Sequence, residues 1–188
     1  MTETAWIIVA IVIVALIVIA GIGWSRRRRS EHLRDRFGGE YDRTMEAAGG
    51  RAKAEADLAD REKRVEKLNI RPLTQDERRE FHDRWSEVQA RFVDDPARAV
   101  AFADALLGDV MKARGYPVSG FEERAGDISV DHPVVVEHYH KAHGIAARHQ
   151  KGEASTEDLR QAMIHYRALF DNLVGVTAPA AREHERAQ

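Results

Sequence analysis

Between Ala5 and Gly23 the chain carries no polar or charged side chain, and that run limits its fold more than any other feature. A single segment so apolar satisfies its backbone hydrogen bonds away from water by forming a helix. At ~1.5 Å per residue, about 20 helical residues cover the ~30 Å hydrocarbon core of a bilayer. Trp6 and Trp24 bracket the run where interfacial aromatic belts lie, and Arg26, Arg27, Arg28 and Arg29 follow at once. The expectation is a transmembrane helix over residues 5–24. A cleavable signal would begin with positive charge, hold an apolar stretch of only ~7–15 residues and end on a small-x-small exit. Met1-Thr2-Glu3-Thr4 supplies an acid and no base, so a retained, single-pass anchor is expected. The bias of basic residues toward the cytoplasm then places residues 1–4 outside, and everything beyond the arginines on the cytoplasmic side of the inner membrane.

The same residues predict a passive anchor. Self-associating spans place small residues four apart, but Ile17, Ile19 and Leu16 stand four before Gly21, Gly23 and Ala20. No ionisable group lies within the run to serve a proton relay or voltage sensor. Attraction of the arginines to anionic lipid, at ~1 kcal/mol each, is expected as a consequence of topology rather than a separate function.

Beyond the span, the remaining chain is enough for about one domain. The whole chain has 29 Lys+Arg against 31 Asp+Glu, which leaves no basic footprint for nucleic acid. It contains no cysteine, which removes disulfides, thiolate nucleophiles and zinc–thiolate sites together.

Residues 25–71 are dense in charge and broken by Gly38-Gly39 and Gly49-Gly50, so they read as a basic juxtamembrane segment and a broken helical stalk. Ala54, Leu58, Arg61, Val65 and Leu68 alternate spacings of four and three, the seam of a short coiled coil. A stripe packing on the chain's own next domain is favoured over self-association, because the seam is short and contains Arg61. Arg71-Pro72 marks a boundary, since proline disfavours helical geometry in the residue before it. Thr74-Gln75-Asp76-Glu77 has the spacing of a capping box. Behind it Phe81, Trp85, Val88 and Phe92 share one helical face.

Asp95-Pro96 predicts a cap and first helical position, and Gly115 a left-handed helix end. Tyr116 to Ser129 reads as a connector with at most a turn around Phe121 to Ala125. Asp131 is the expected cap of a helix over about Pro133–Gln150, and Ser155 or Thr156 starts the last helix. Residues 176–188 have little to bury and read as a disordered tail. No stretch alternates apolar and polar residues between turn signals, so no sheet is expected. The predicted fold is all-α: an N-terminal transmembrane helix, a charged stalk, and a small bundle of roughly four helices over 72–175.

The densest chemistry is the histidine group of the 133–150 helix: His138, His140, His143 and His149 are the candidate metal ligands. Glu137-x-x-His140 matches half of a di-iron motif, but a second such half is missing from the sequence. Projection at ~100° per residue puts His138 and His149 on one face with Val135, Ala142, Ile145 and Ala146, and His140 and His143 on the polar side. No metal or other cofactor is therefore expected, and surface or core-edge imidazoles are the simpler reading. A pH switch built on these rings is the other one. Ser129, Asp131 and His132 hold triad residue types within one short turn, which suits capping better than catalysis. Arg84, Arg91, Arg98 and Arg114 each have an acid nearby and read as solvated ion pairs. No catalytic motif is present, so an enzyme is not expected.

Arg36-Phe37-Gly38-Gly39-Glu40-Tyr41-Asp42-Arg43, Ile70-Arg71-Pro72-Leu73, Trp85 to Asp94, Arg114-Gly115-Tyr116-Pro117-Val118, Ser129 to Pro133 and Thr156 to Met163 form a distinctive ordered run. In that run the chain resembles a group of uncharacterised bacterial proteins with one N-terminal span and a helical cytoplasmic domain. The resemblance implies a bacterial membrane location and brings no activity. The expected function is a membrane-tethered interaction or scaffold module whose partners are the bilayer and another protein. Phe102, Tyr116 and Phe121 are its candidate contacts, with Trp85 and Phe92 as further aromatics. The alternative is a ligand, metal or pH sensor built on His138 and His149 with His165 or Tyr139.

Overall fold

Glycines in left-handed geometry divide the N-terminal third into three helices. In the computed structural model, which describes residues 2–117 and 120–175, α1 runs Thr2–Phe37, α2 Gly39–Ala48 and α3 Arg51–Val65. Gly38 (φ 51°) and Gly49 (φ 66°) stand between them, in a region where a Cβ is strained. The side chains at 2–12, 14, 15, 19, 22 and 26, Trp6 and Arg26 among them, lie outside the described residues, as does the 176–188 tail. Among the described residues no helix is long and apolar enough to cross a membrane.

By compactness the chain separates into Met1–Ala59 and Asp60–Gln188, a division that falls inside α3. In the first unit the expected stalk is folded back on itself. Glu55 Oε1 of α3 accepts from Ser30 Oγ of α1 (2.6 Å), Tyr41 Oη of α2 (2.9 Å) and Arg51 Nε (2.7 Å). Leu33, Phe37, Tyr41 and Ala54 are buried. Leu58 is fully covered by the chain's own atoms as well, so the seam residues Ala54 and Leu58 are buried without a second copy.

The second unit holds the rest of α3 and five more helices: α4 Gln75–Arg91, α5 Pro96–Arg114, α6 Phe121–Asp131, α7 Pro133–Gln150 and α8 Thr156–Gly175. The predicted boundary signals of α4 and α5 hold at atomic detail. Thr74 Oγ1 accepts from Glu77 N (3.2 Å) while Glu77 Oε2 accepts from Thr74 N (2.8 Å), the complete capping box. Asp95 Oδ1 accepts from Arg98 N (3.0 Å), with Pro96 at the first position. Gly115 closes α5 at φ 99° and packs so tightly that a Cβ there would stand 2.5 Å from Asn69 O.

Packing follows the apolar faces. α8 lies along α7 and α5, α4 along α5, and α6 against α7. Trp85 stacks on Phe170 (4.7 Å between centroids), and Tyr139, Tyr166, Leu107 and Leu169 are fully enclosed. The all-α class and the four principal helices are as predicted. The connector is not: Phe121–Asp131 is a helix whose Ala125 to Val130 are all buried. Its inward face includes Gly126, Asp127 and Ser129, which carry no hydrophobic period to find. Asp131 ends α6 instead of capping α7, whose N-cap position is His132 with no side-chain capping bond.

Candidate functional site

The histidine group separates into three environments. The buried stripe of α7 is Val136, Tyr139 and Ala142, one position round from the predicted face, because α6 and α8 both cover this helix. His140 and His143 consequently turn toward α6 and not to a polar side. His143 stacks on Phe121 (3.6 Å, 7° between planes), and His140 meets the same ring edge-on (5.4 Å). Burial pushes the His143 imidazole below its ordinary pKa.

His138 reaches across to α8, where its Nδ1 lies 2.9 Å from His165 Nδ1. At that distance one ring donates and the other accepts. Burial first, and then the neighbouring His138, lower the pKa of His165. His149 lines a cavity of about 310 Å³ between α5, α7 and α8, with Asp104, His143 and Tyr166 on the same walls. Its Nδ1 is buried without a hydrogen-bond partner among the described residues. Asp104 accepts from Arg124 (3.3 Å) and from the Tyr166 hydroxyl (3.4 Å). Burial and this carboxylate hold the Tyr166 and Tyr139 hydroxyls protonated, far above their ordinary range. Candidate ligands His138, His140, His143 and His149 are thus not brought together. Among the described residues no group of three or more His, Cys, Asp or Glu is placed to hold a metal ion.

Ser129, Asp131 and His132 point to three different partners. Ser129 Oγ donates to Gly126 O (2.7 Å), Asp131 Oδ2 accepts from Tyr116 Oη (3.1 Å), and His132 Nε2 lies 3.3 Å from Arg114. Their proximity in sequence builds a helix junction.

Arg114 corrects the reading of solvated arginines. It is 4% exposed, and its guanidinium donates to the main-chain oxygens of Leu173 (3.3 Å) and Arg71 (3.4 Å). There it completes the C-terminal turn of α8, where free carbonyls and the helix dipole favour a cation. Burial, together with the Arg114 charge, lowers the pKa of His132. Arg84 and Arg98 do pair at the surface, with Asp109 and Asp95. A second buried charge went unforeseen: Asp127 is fully enclosed and accepts from Arg64 Nε (2.8 Å) and Nη2 (2.7 Å). Desolvation raises its pKa, and the Arg64 guanidinium opposes the rise.

The aromatic contacts divide too. Phe102 is 44% exposed beneath the Arg91 guanidinium (5.1 Å) and remains available. Tyr116 is buried with its hydroxyl on Asp131, and Phe121 is half-buried between Tyr139 and His143, so neither is a free surface contact. Trp85 and Phe92 line a groove of about 290 Å³ between α4 and α8, with Met163, Ile164 and the rim arginines Arg160 and Arg167. Ile164 is 47% exposed and was not singled out by sequence. Its one signal is a branched aliphatic on the outer side of a helix whose inner face Met163 already occupies.

No family model matches the chain, and no curated protein and no solved structure is similar to it.

Proposed function

We propose that this chain is a membrane-anchored interaction module, tethered by residues 5–24 in the inner membrane, whose cytoplasmic helices offer a groove to a protein partner. The tether is supported by the uninterrupted apolar run, its flanking tryptophans and the arginine block. The segments that resemble bacterial single-span proteins favour the same location. Trp24 and Arg28 also pair face-on, with the guanidinium 3.8 Å from the ring centroid, a contact suited to the headgroup level.

The interaction reading is carried by the α4/α8 groove. Trp85, Phe92, Met163 and Ile164 form its apolar floor, and Arg160 and Arg167 stand on its rim. Apolar surface rimmed by charge marks association sites; Arg160 and Arg167 are each paired within α8, with Glu157 and Asp171, so the rim offers both signs of charge and the apolar floor carries the contact. The full chain, extracted in mild detergent, serves as bait in the wild-type form and as Ile164→Asp. Recovery of one specific protein by wild type and its loss with Ile164→Asp is the expected outcome; equal recovery overturns the groove.

A sensor is the second reading, favoured by the unpartnered His149 Nδ1 on the cavity it shares with Asp104 and His143. Its ligand would be a small molecule donating a hydrogen bond to that nitrogen. Neither reading assigns a catalytic residue.

A further inference from the structure

The first unit carries its third helix back to the arginine block. Ser30 of α1 bonds Glu55 of α3, while Gly23 and Arg27 of α1 border the same groove as Arg51 and Ala52 of α3. The first turn of α3 and the end of the apolar run therefore border one groove. The groove between them measures about 540 Å³, and Arg29 joins Arg27 and Arg51 in its lining.

We propose that this groove binds the phosphate diester of an anionic phospholipid headgroup, held by Arg27, Arg29 and Arg51. The inference rests on the membrane reading above, which sets the groove at headgroup level. Charge favours an anion there: three guanidinium groups face one carboxylate, Glu55. That carboxylate is already occupied, because its Oε1 accepts from Ser30, Tyr41 and Arg51. Arg51 gives Glu55 its Nε, so Glu55 orients the guanidinium and leaves the Nη donors for a ligand. Phosphate oxygens accept such donors in paired, charge-assisted bonds. The first turn of α3 contains no acidic side chain, and its free backbone amides add to the same field. Arginines beside a span attract anionic lipid diffusely; Arg51 converts that attraction into a site with walls.

The test uses the full chain in a neutral detergent. It is titrated by calorimetry with short-chain phosphatidylglycerol, short-chain phosphatidylcholine, glycerol phosphate and inorganic phosphate. Phosphatidylglycerol should bind saturably, and phosphatidylcholine, glycerol phosphate and inorganic phosphate should bind more weakly. Arg51→Gln should weaken phosphatidylglycerol by about tenfold, the loss of one charge-assisted bond. Arg43→Gln, an arginine of α2 outside the groove, should bind as wild type. Arg27→Gln/Arg29→Gln, which keeps Arg26 and Arg28 for topology, should reproduce the loss if Arg51→Gln disturbs folding. Unchanged binding in both groove variants overturns the site, and equal binding of inorganic phosphate overturns the lipid assignment. Carbonate extraction of cells separates the two ideas: release of the wild-type chain defeats the membrane reading. Retention together with unsaturable lipid binding defeats only the groove.

Discussion

Single residues in this protein act mainly through charge taken out of water. Arg114 is 4% exposed and sits among main-chain oxygens, so truncation leaves the Leu173 and Arg71 carbonyls without their donor. Arg114→Met should destabilise the second unit by about 3 kcal/mol, the range for breaking a buried polar network, read as a shift in the urea midpoint. Arg64 is 41% exposed while Asp127 is enclosed, so solvent screens part of their attraction. Arg64→Gln should cost about 2 kcal/mol, and Asp127→Asn in the same background should recover part of it, because the stranded charge is then gone. A double-mutant cycle in urea measures both. Neither residue announced itself in the sequence. An arginine with an acid within two turns looks solvated, and only the arrival of α8 takes Arg114 out of water, as Arg64 of α3 meets Asp127 of α6.

At the scale of elements, boundaries written in local chemistry were legible, and elements defined by what covers them were not. The capping box of α4 and the Asp95-Pro96 start and Gly115 stop of α5 are hydrogen-bond and dihedral signals contained within a few residues. Gly115→Ala combines a strained φ of 99° with a collision at Asn69 O and should cost well over about 1 kcal/mol, measurable as a lowered melting temperature. Gly152, also at positive φ (74°), has open space where a Cβ would stand, so Gly152→Ala should cost less, and the pair separates strain from collision. α6 was missed because its inward face is Gly126, Asp127 and Ser129 beside Ala125 and Ile128, a pattern without hydrophobic period. The α7 face was rotated for a related reason. Two neighbours cover that helix, so His140 and His143, polar by composition, are held against Phe121.

For the whole molecule, acid sensitivity is the property that sums over elements. His132, His143 and His165 each have a folded pKa below the ordinary value, chiefly through burial. A group that prefers to be neutral when folded binds its proton more readily in the unfolded chain, so stability falls as pH drops below ~6.5, the unfolded histidine value. The loss should continue down through the lowered folded values. Thermal midpoints should therefore be level above neutrality and decline on acidification, and His132→Gln should flatten the upper part of that decline. An identical decline in His132→Gln would remove the Arg114–His132 contact as a contributor. At lower pH a second loss should appear as Glu77 and Glu157, both held at about 2 by their arginine partners, bind protons from ~4.5 downward.

The all-α class, the glycine breaks at Gly38-Gly39 and Gly49-Gly50, the caps of α4 and α5, and the four principal helices were legible in the order of residues alone. Those features depend on dihedral preference, capping chemistry and a 3.6-residue apolar period, all carried by neighbouring residues. Helix packing, by contrast, folds the stalk back through the Ser30–Glu55 bond, buries Arg114 and Asp127, separates His138 from His140 and His143, and leaves Ile164 bordering an open groove. Each of those depends on which distant helix displaces the water around a side chain, and local sequence carries no record of that.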